Sequence, residues 1–164
     1  MRFASWLNEL PFFKKLAFGI ATVGGAGLTP RAPGTVGSLV GAIVFLWLGR
    51  LSWTFQILFI LTLVVLGLWA SKVMELETGR EDDQRIVIDE VIGMWITVCS
   101  FPPSLVWLAI GFVVFRFLDV TKPFPANWVE VRWRGARGVI FDDIVSGIYG
   151  QVLLRAIYRV YGLF

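Results

Sequence analysis

Six ionisable residues interrupt otherwise apolar stretches of this chain. They form three short clusters: Asp89-Glu90, Arg116 with Asp119, and Asp142-Asp143. Carboxylates gathered this tightly repel one another unless a positive charge sits among them. Divalent cations with oxygen ligands meet that need, and Arg116 and Lys122 are placed to share it. The chain has no histidine and a single cysteine, Cys99, so a Cys- or His-based metal site is excluded. Hard oxygen donors alone favour magnesium or manganese over zinc. Asp89, Glu90, Asp119, Asp142 and Asp143 are therefore the candidate metal ligands and catalytic acids.

A second feature is the run Pro30-Arg31-Ala32-Pro33-Gly34-Thr35-Val36-Gly37-Ser38, a loop rich in glycine and hydroxyl groups that opens a helix. A helix start offers unpaired N–H groups and a positive dipole end, both suited to a phosphate. Arg31 adds a planar guanidinium fork. No Gly-Lys-Ser/Thr follows, so this is not a nucleotide-binding P-loop. Arg31, Thr35, Ser38, Arg116 and Lys122 are the candidate phosphate contacts.

Composition removes several phosphatase chemistries. Without histidine there is no phosphohistidine intermediate. Leu105, not an arginine, stands six residues after Cys99, so there is no cysteine-phosphatase loop, and no Asp-x-Asp pair offers an aspartyl nucleophile. Metal-assisted attack by water on a phosphoryl group remains.

The elements that must position these residues follow from hydropathy. Of 164 residues, 57% are hydrophobic and 16% charged, against about 25% charged in ordinary soluble domains. A chain this short has too little interior to bury so much apolar surface. The expected architecture is all-α: a polytopic membrane helix bundle in one domain, residues 1–164. Crossing a bilayer takes roughly 17–25 apolar residues. The candidate spans are Val36–Leu51, Trp53–Ser71, Ile86–Phe101, Pro103–Val120 and Gly138–Leu154, about five transmembrane helices. Residues 1–29 read as a peripheral segment. Met1–Leu16 lacks the clean apolar core of a signal peptide and suits an interfacial helix. Phe18–Leu28 is a short, Gly-rich re-entrant or interfacial piece.

The connections alternate. Short turns join the spans near Ser52 and Pro102-Pro103, whereas the segment ending at Thr35 and those at 72–85 and 121–137 are long and carry most of the Lys and Arg. The positive-inside rule puts that side in the cytoplasm. All three acidic clusters then lie near the cytoplasmic face. The net charge of +3 belongs to loop anchors such as Arg132, Arg134 and Arg137, and nucleic acid is not an expected partner.

Helix periodicity supports convergence. Glu90, Gly93 and Thr97 form one stripe, and Asp142, Ser146 and Gly150 form another, with Asp143 and Gly147 beside it. Small residues there let backbones approach closely. Arg116 and Asp119 share a face. Simpler readings hold elsewhere. Asp82 and Asp83 are solvated loop acids, Gly37 and Gly41 serve helix packing, and Cys99 is inert packing. Trp47, Trp53, Trp107, Trp128 and Trp133 mark interface belts.

Four blocks together resemble the phosphatidylglycerophosphatase A family: Arg31-Ala-Pro-Gly-Thr-Val-Gly-Ser38, Arg85-Ile-Val-Ile-Asp-Glu-Val-Ile-Gly-Met-Trp95, Phe115-Arg-Phe-Leu-Asp-Val-Thr-Lys-Pro-Phe-Pro125 and Gly138-Val-Ile-Phe-Asp-Asp-Ile-Val-Ser-Gly147. They occur in the family's order from about Arg31 to Gly150. The run Arg134-Gly135-Ala136-Arg137-Gly138 departs from the family in being more basic. The resemblance implies a magnesium-dependent lipid phosphatase of the bacterial inner membrane. It would hydrolyse the terminal phosphomonoester of phosphatidylglycerophosphate to phosphatidylglycerol, with the active site on the cytoplasmic side. The alternative is a small carboxylate-lined cation carrier or channel subunit. Carriers place their coupling site near the bilayer midplane, whereas these acids gather at one face beside a phosphate-type loop.

Overall fold

The computed structural model describes residues 10–81, 83–133 and 135–160. The expectations that fall on residues 1–9, on Asp82 and on Arg134 lie outside the described residues. Within them the chain is all-helical, with no strand. The helices are α1 (Phe12–Ala21), a 3-10 turn (Ala26–Leu28), α2 (Pro33–Leu48), α3 (Trp53–Thr78), α4 (Ile88–Val98), α5 (Leu105–Thr121), α6 (Ala126–Arg132) and α7 (Ala136–Val160). Each of the five candidate spans overlaps one of these helices. Among the described residues α3 alone is both long and apolar enough to cross a membrane by itself.

Local chemistry sets the ends. Proline opens α2 at its first position, where a missing N–H costs nothing. The Ser52 hydroxyl accepts the N–H of Phe55, and the Ser104 hydroxyl accepts that of Trp107, capping α3 and α5. Gly79 closes α3 in the left-handed conformation at φ 68°. α5 ends at Lys122, also left-handed, followed by Pro123. The N–H of Ala136 donates to Glu75 Oε2 at 3.1 Å, tying the start of α7 to the end of α3.

α4 is the axis of the bundle. It packs against α2, α3, α5 and α7, most extensively against α7. Nine of its eleven residues are buried, and its length is roughly 16 Å at 1.5 Å per residue. The apolar run at Ile86–Phe101 therefore reflects a protein interior on most sides, and its helix is shorter than the expected span. The α4–α7 contact uses small residues. A Cβ on Gly147 would lie 2.6 Å from the Gly93 carbonyl oxygen, and one on Gly150 2.7 Å from Thr97 Oγ1. Thr97 Oγ1 donates to the carbonyls of Gly93 and Gly147. Between these two contacts in sequence, Trp95 packs against Phe45 of α2 and Phe59 of α3, at ring-centroid distances of 5.3 and 4.5 Å.

α1 lies along α3, with Ala17, Phe18 and Ala21 buried while Phe12, Phe13 and Leu16 are exposed. Lys14 pairs with Glu77 at 2.5 Å. The segment after α1 presses on the residues leading into α4. Val87 N–H donates to Ala21 O at 2.9 Å, and Gly27 sits against the Arg85 carbonyl with no room for a Cβ. Residues 17–28 thus fix where α4 begins.

Two expectations change. Asp83 is not a solvated loop acid. It is buried, and both its carboxylate oxygens accept from the Arg85 guanidinium, with Oδ1 also taking the Arg85 N–H at 3.1 Å. Burial alone would raise the Asp83 pKa, but these hydrogen bonds outweigh it and hold the carboxyl below its ordinary value. Trp107 is buried against Phe101 and Tyr158 rather than in an exposed belt, whereas Trp47, Trp53, Trp128 and Trp133 are exposed. Gly37 and Gly41 serve packing as expected, pressed against Val87 and Val91, and Cys99 is buried.

Candidate active site

Four helix ends meet at one end of the bundle: the starts of α2, α4 and α7, and the end of α5. Between them lies a cavity of about 400 Å³, lined by Asp89 and Glu90 of α4, Arg116 and Asp119 of α5, Lys122, and Asp142 and Asp143 of α7. Ala32, Pro33 and Gly34 of the α2 start contribute another wall. The three acidic clusters, spread over more than fifty residues of chain, share one cavity because α4 and α7 touch backbone to backbone one helical turn beyond the acids.

The five carboxylates divide into two groups. Asp89, Glu90 and Asp143 each offer an oxygen, and these three oxygens lie within 4.8 Å of one another. Asp89 Oδ1, Glu90 Oε2 and Asp143 Oδ2 are buried without a hydrogen-bond partner. Buried polar atoms without partners are costly, and a cation held among these three carboxylates would relieve that cost. The donor set is all hard oxygen. These residues fit a metal ion, and a divalent one in particular.

The other two carboxylates are held by side-chain cations. Arg116 Nη1 lies 2.5 Å from Asp119 Oδ2 and 3.9 Å from Glu90 Oε1. Lys122 Nζ donates to Asp142 Oδ2 at 2.6 Å. The left-handed turn at Lys122 ends α5 at the cavity, where its side chain crosses to α7.

The α2 start is divided in role. Gly34 is pressed against Glu90: a Cβ there would fall 1.9 Å from Glu90 Oε1. Ser38 is buried, donates to Gly34 O at 2.9 Å and accepts from Arg116 Nη1 at 3.4 Å, so it steadies the guanidinium from behind. Thr35 is half-buried and Arg31 exposed. Neither lines the cavity, although Arg31 adjoins Ala32, which does. Sequence reasoning missed Gln84, Ile86 and Val139 as lining residues. It also missed the Asp83–Arg85 clamp just before α4, for which the only signal was an Asp-x-Arg spacing.

Fold and site together define a helical-bundle enzyme whose acidic centre is flanked by two cations, an arrangement suited to a phosphorylated anion. The family model for phosphatidylglycerophosphatase A matches residues 19–158, and the chain belongs to that family. It is 37% identical over 131 residues to the phosphatidylglycerophosphatase A of Escherichia coli strain K12, covering 79% of this chain and 76% of the relative. It is 33% identical over 135 residues to that of Haemophilus influenzae strain Rd, covering 81% and 83%. A protein of Bacteroides thetaiotaomicron named "Putative phosphatidylinositol-3-phosphatase" is 34% identical over 152 residues, covering 87% and 94%. No solved structure matches. The chain is thus a membrane-associated lipid phosphatase, and nothing supports the carrier alternative.

Proposed function

We propose that this enzyme removes the terminal phosphate of phosphatidylglycerophosphate in a magnesium-dependent reaction, releasing phosphatidylglycerol. The observation that carries the reading is the trio of buried, unpartnered carboxylate oxygens of Asp89, Glu90 and Asp143 in a cavity faced by Arg116 and Lys122. Two of the named relatives act on this lipid by name.

Asp89, Glu90 and Asp143 would hold the metal, which supplies Lewis-acid polarisation of a phosphoryl oxygen when bound. Lys122 and Arg116 offset the charge of a phosphomonoester, about two negative charges near neutral pH. Asp142 and Asp119 orient those cations, and Ser38 holds the Arg116 plane. The N–H groups at the start of α2, where Gly34 lines the cavity, would meet phosphate oxygens, with Thr35 next to Gly34 in the same turn. Arg31, exposed beside Ala32 of the cavity lining, would meet the anion as it enters. Water attacks phosphorus as the bond to the glycerol oxygen breaks. The proton lost by the water balances the one gained by the leaving alkoxide, and a cavity carboxylate relays it.

The whole chain is read as one unit in the bacterial inner membrane, with α2, α3, α4, α5 and α7 embedded and the active site at the cytoplasmic face. The cavity end of the bundle carries Lys72, Arg80, Arg85, Lys122, Arg132 and Arg137, which supports that orientation. The deciding assay compares phosphate release from phosphatidylglycerophosphate, phosphatidylinositol 3-phosphate and phosphatidic acid in mixed micelles, with magnesium and after chelation. Fastest release from the first, lost on chelation, is expected. Faster release from the inositol lipid would move the substrate assignment, and release undiminished by chelation would overturn the metal.

A further inference from the structure

The face of α7 turned away from the catalytic cavity lines a second concavity. Arg137 and Phe141 are four residues apart and share one side of the helix, whereas Val139, Asp142 and Asp143 line the catalytic cavity. With Leu68 of α3, and Trp128, Arg132 and Trp133 at α6 and its end, they line a groove of about 900 Å³. The groove and the catalytic cavity share no lining residue. Trp133 stands edge-on to Phe141, ring centroids 4.9 Å apart, which fixes one wall. Both arginines are exposed, and neither has an ion-pair partner among the described residues.

We propose that this groove binds an intact anionic phospholipid of the surrounding bilayer as a resident ligand, not as substrate. The phosphodiester would lie between Arg132 and Arg137, with an acyl chain over Leu68, Phe141 and the two indole rings. The inference rests on the membrane reading above. Charge complementarity selects the occupant. Two exposed guanidiniums beside an apolar floor match a ligand that is anionic at one end and apolar at the other. A second copy of this face would bring like charges together. Exposed Trp and Arg at the positively charged end of the bundle also suit headgroup depth.

The test is native mass spectrometry of the full chain in detergent with equimolar phosphatidylserine and phosphatidylcholine of matched chains. Neither lipid carries a phosphomonoester, so the result is independent of turnover and of the substrate assignment. Wild type should retain phosphatidylserine severalfold over phosphatidylcholine, and R132Q/R137Q should bring the two near parity. Hydrolysis of a short-chain soluble substrate should be unchanged in that variant. If the double variant melts below wild type, R132Q alone carries the comparison, with a partial loss of preference expected. Glycerophosphoserine, the headgroup without chains, should not compete. Parity in wild type, preference surviving in the variant, or full competition by the chain-free headgroup would each overturn the proposal.

Discussion

Gly147 of α7 faces Gly93 of α4 so closely that a Cβ on Gly147 would lie 2.6 Å from the Gly93 carbonyl oxygen and 3.1 Å from its Cα. Asp143 stands one turn before Gly147, and Asp89 and Glu90 stand one turn before Gly93, so this contact sets the spacing of the carboxylate trio. Gly147→Ala must push the helices apart, because the obstacle is backbone. Overpacking of this kind costs about 1–3 kcal/mol. The melting temperature in detergent should fall, and kcat/KM should drop on the order of 10–100-fold through misplaced ligands. A variant with wild-type melting and turnover would show that the helix spacing does not matter.

Gly34→Ala tests the site without the bundle. Its Cβ would collide with Glu90 Oε1 at 1.9 Å, the far end of a flexible side chain. Glu90 can swing aside, so the melting temperature should stay near that of wild type while the trio loses a ligand position. Isothermal titration with magnesium, and with manganese as a second probe, should show weakened binding. Asp89→Asn and Asp143→Asn should weaken it further. Wild-type affinity in all three variants would remove the metal from this position.

How far the site was legible depended on the scale of the relationship. The stripes Glu90-Gly93-Thr97 and Asp142-Ser146-Gly150, with Asp143 and Gly147 beside the second, follow from helical periodicity, and α4 and α7 meet where Gly93 and Thr97 face Gly147 and Gly150. Which carboxylates converge and which are paired was not legible. That an oxygen of Asp143 meets those of Asp89 and Glu90 while Lys122 reaches Asp142 depends on how the three helices pack, which no spacing rule encodes. The length of α4 was hidden for another reason: a helix buried in protein is as apolar as one in lipid. Asp83 was misread because Asp-x-Arg in a charged loop describes a solvated pair and a buried clamp equally well.

That clamp gives a pH prediction. The Asp83 carboxyl is held below its ordinary value by Arg85. A depressed folded pKa contributes stability that is fully present above the unfolded value, about 3.9, and is lost as pH falls through the folded one. Asp83→Asn should therefore destabilise the protein at pH 7, by roughly 1–3 kcal/mol for a charge-assisted hydrogen-bonded pair. The gap to wild type should narrow as pH drops below about 4. Thermal melts of both proteins from pH 7 to pH 3 measure this, and a gap that widens on acidification would contradict it.

The cations around the cavity should separate by kinetic signature. Lys122 lines the cavity and bonds Asp142, whereas Arg31 is exposed outside the lining beside Ala32. A preorganised donor at the reacting phosphate contributes to transition-state stabilisation, on the order of 2–4 kcal/mol. Lys122→Ala should therefore lower kcat and kcat/KM together. Arg31→Ala should act mainly on KM, because a contact made outside the cavity lining binds ground state and transition state alike. Arg31→Lys should restore only part of the loss, since a point charge does not reproduce a planar fork. Arg116→Lys should be more damaging than its retained charge suggests, because the guanidinium serves Asp119, Ser38 and Glu90 at once. The measurement is steady-state phosphate release from the lipid substrate across the four variants. If Arg31→Ala matches wild type in both parameters, the loop before α2 only caps a helix, and the phosphate is held by the groups that line the cavity, Lys122 and Arg116 among them.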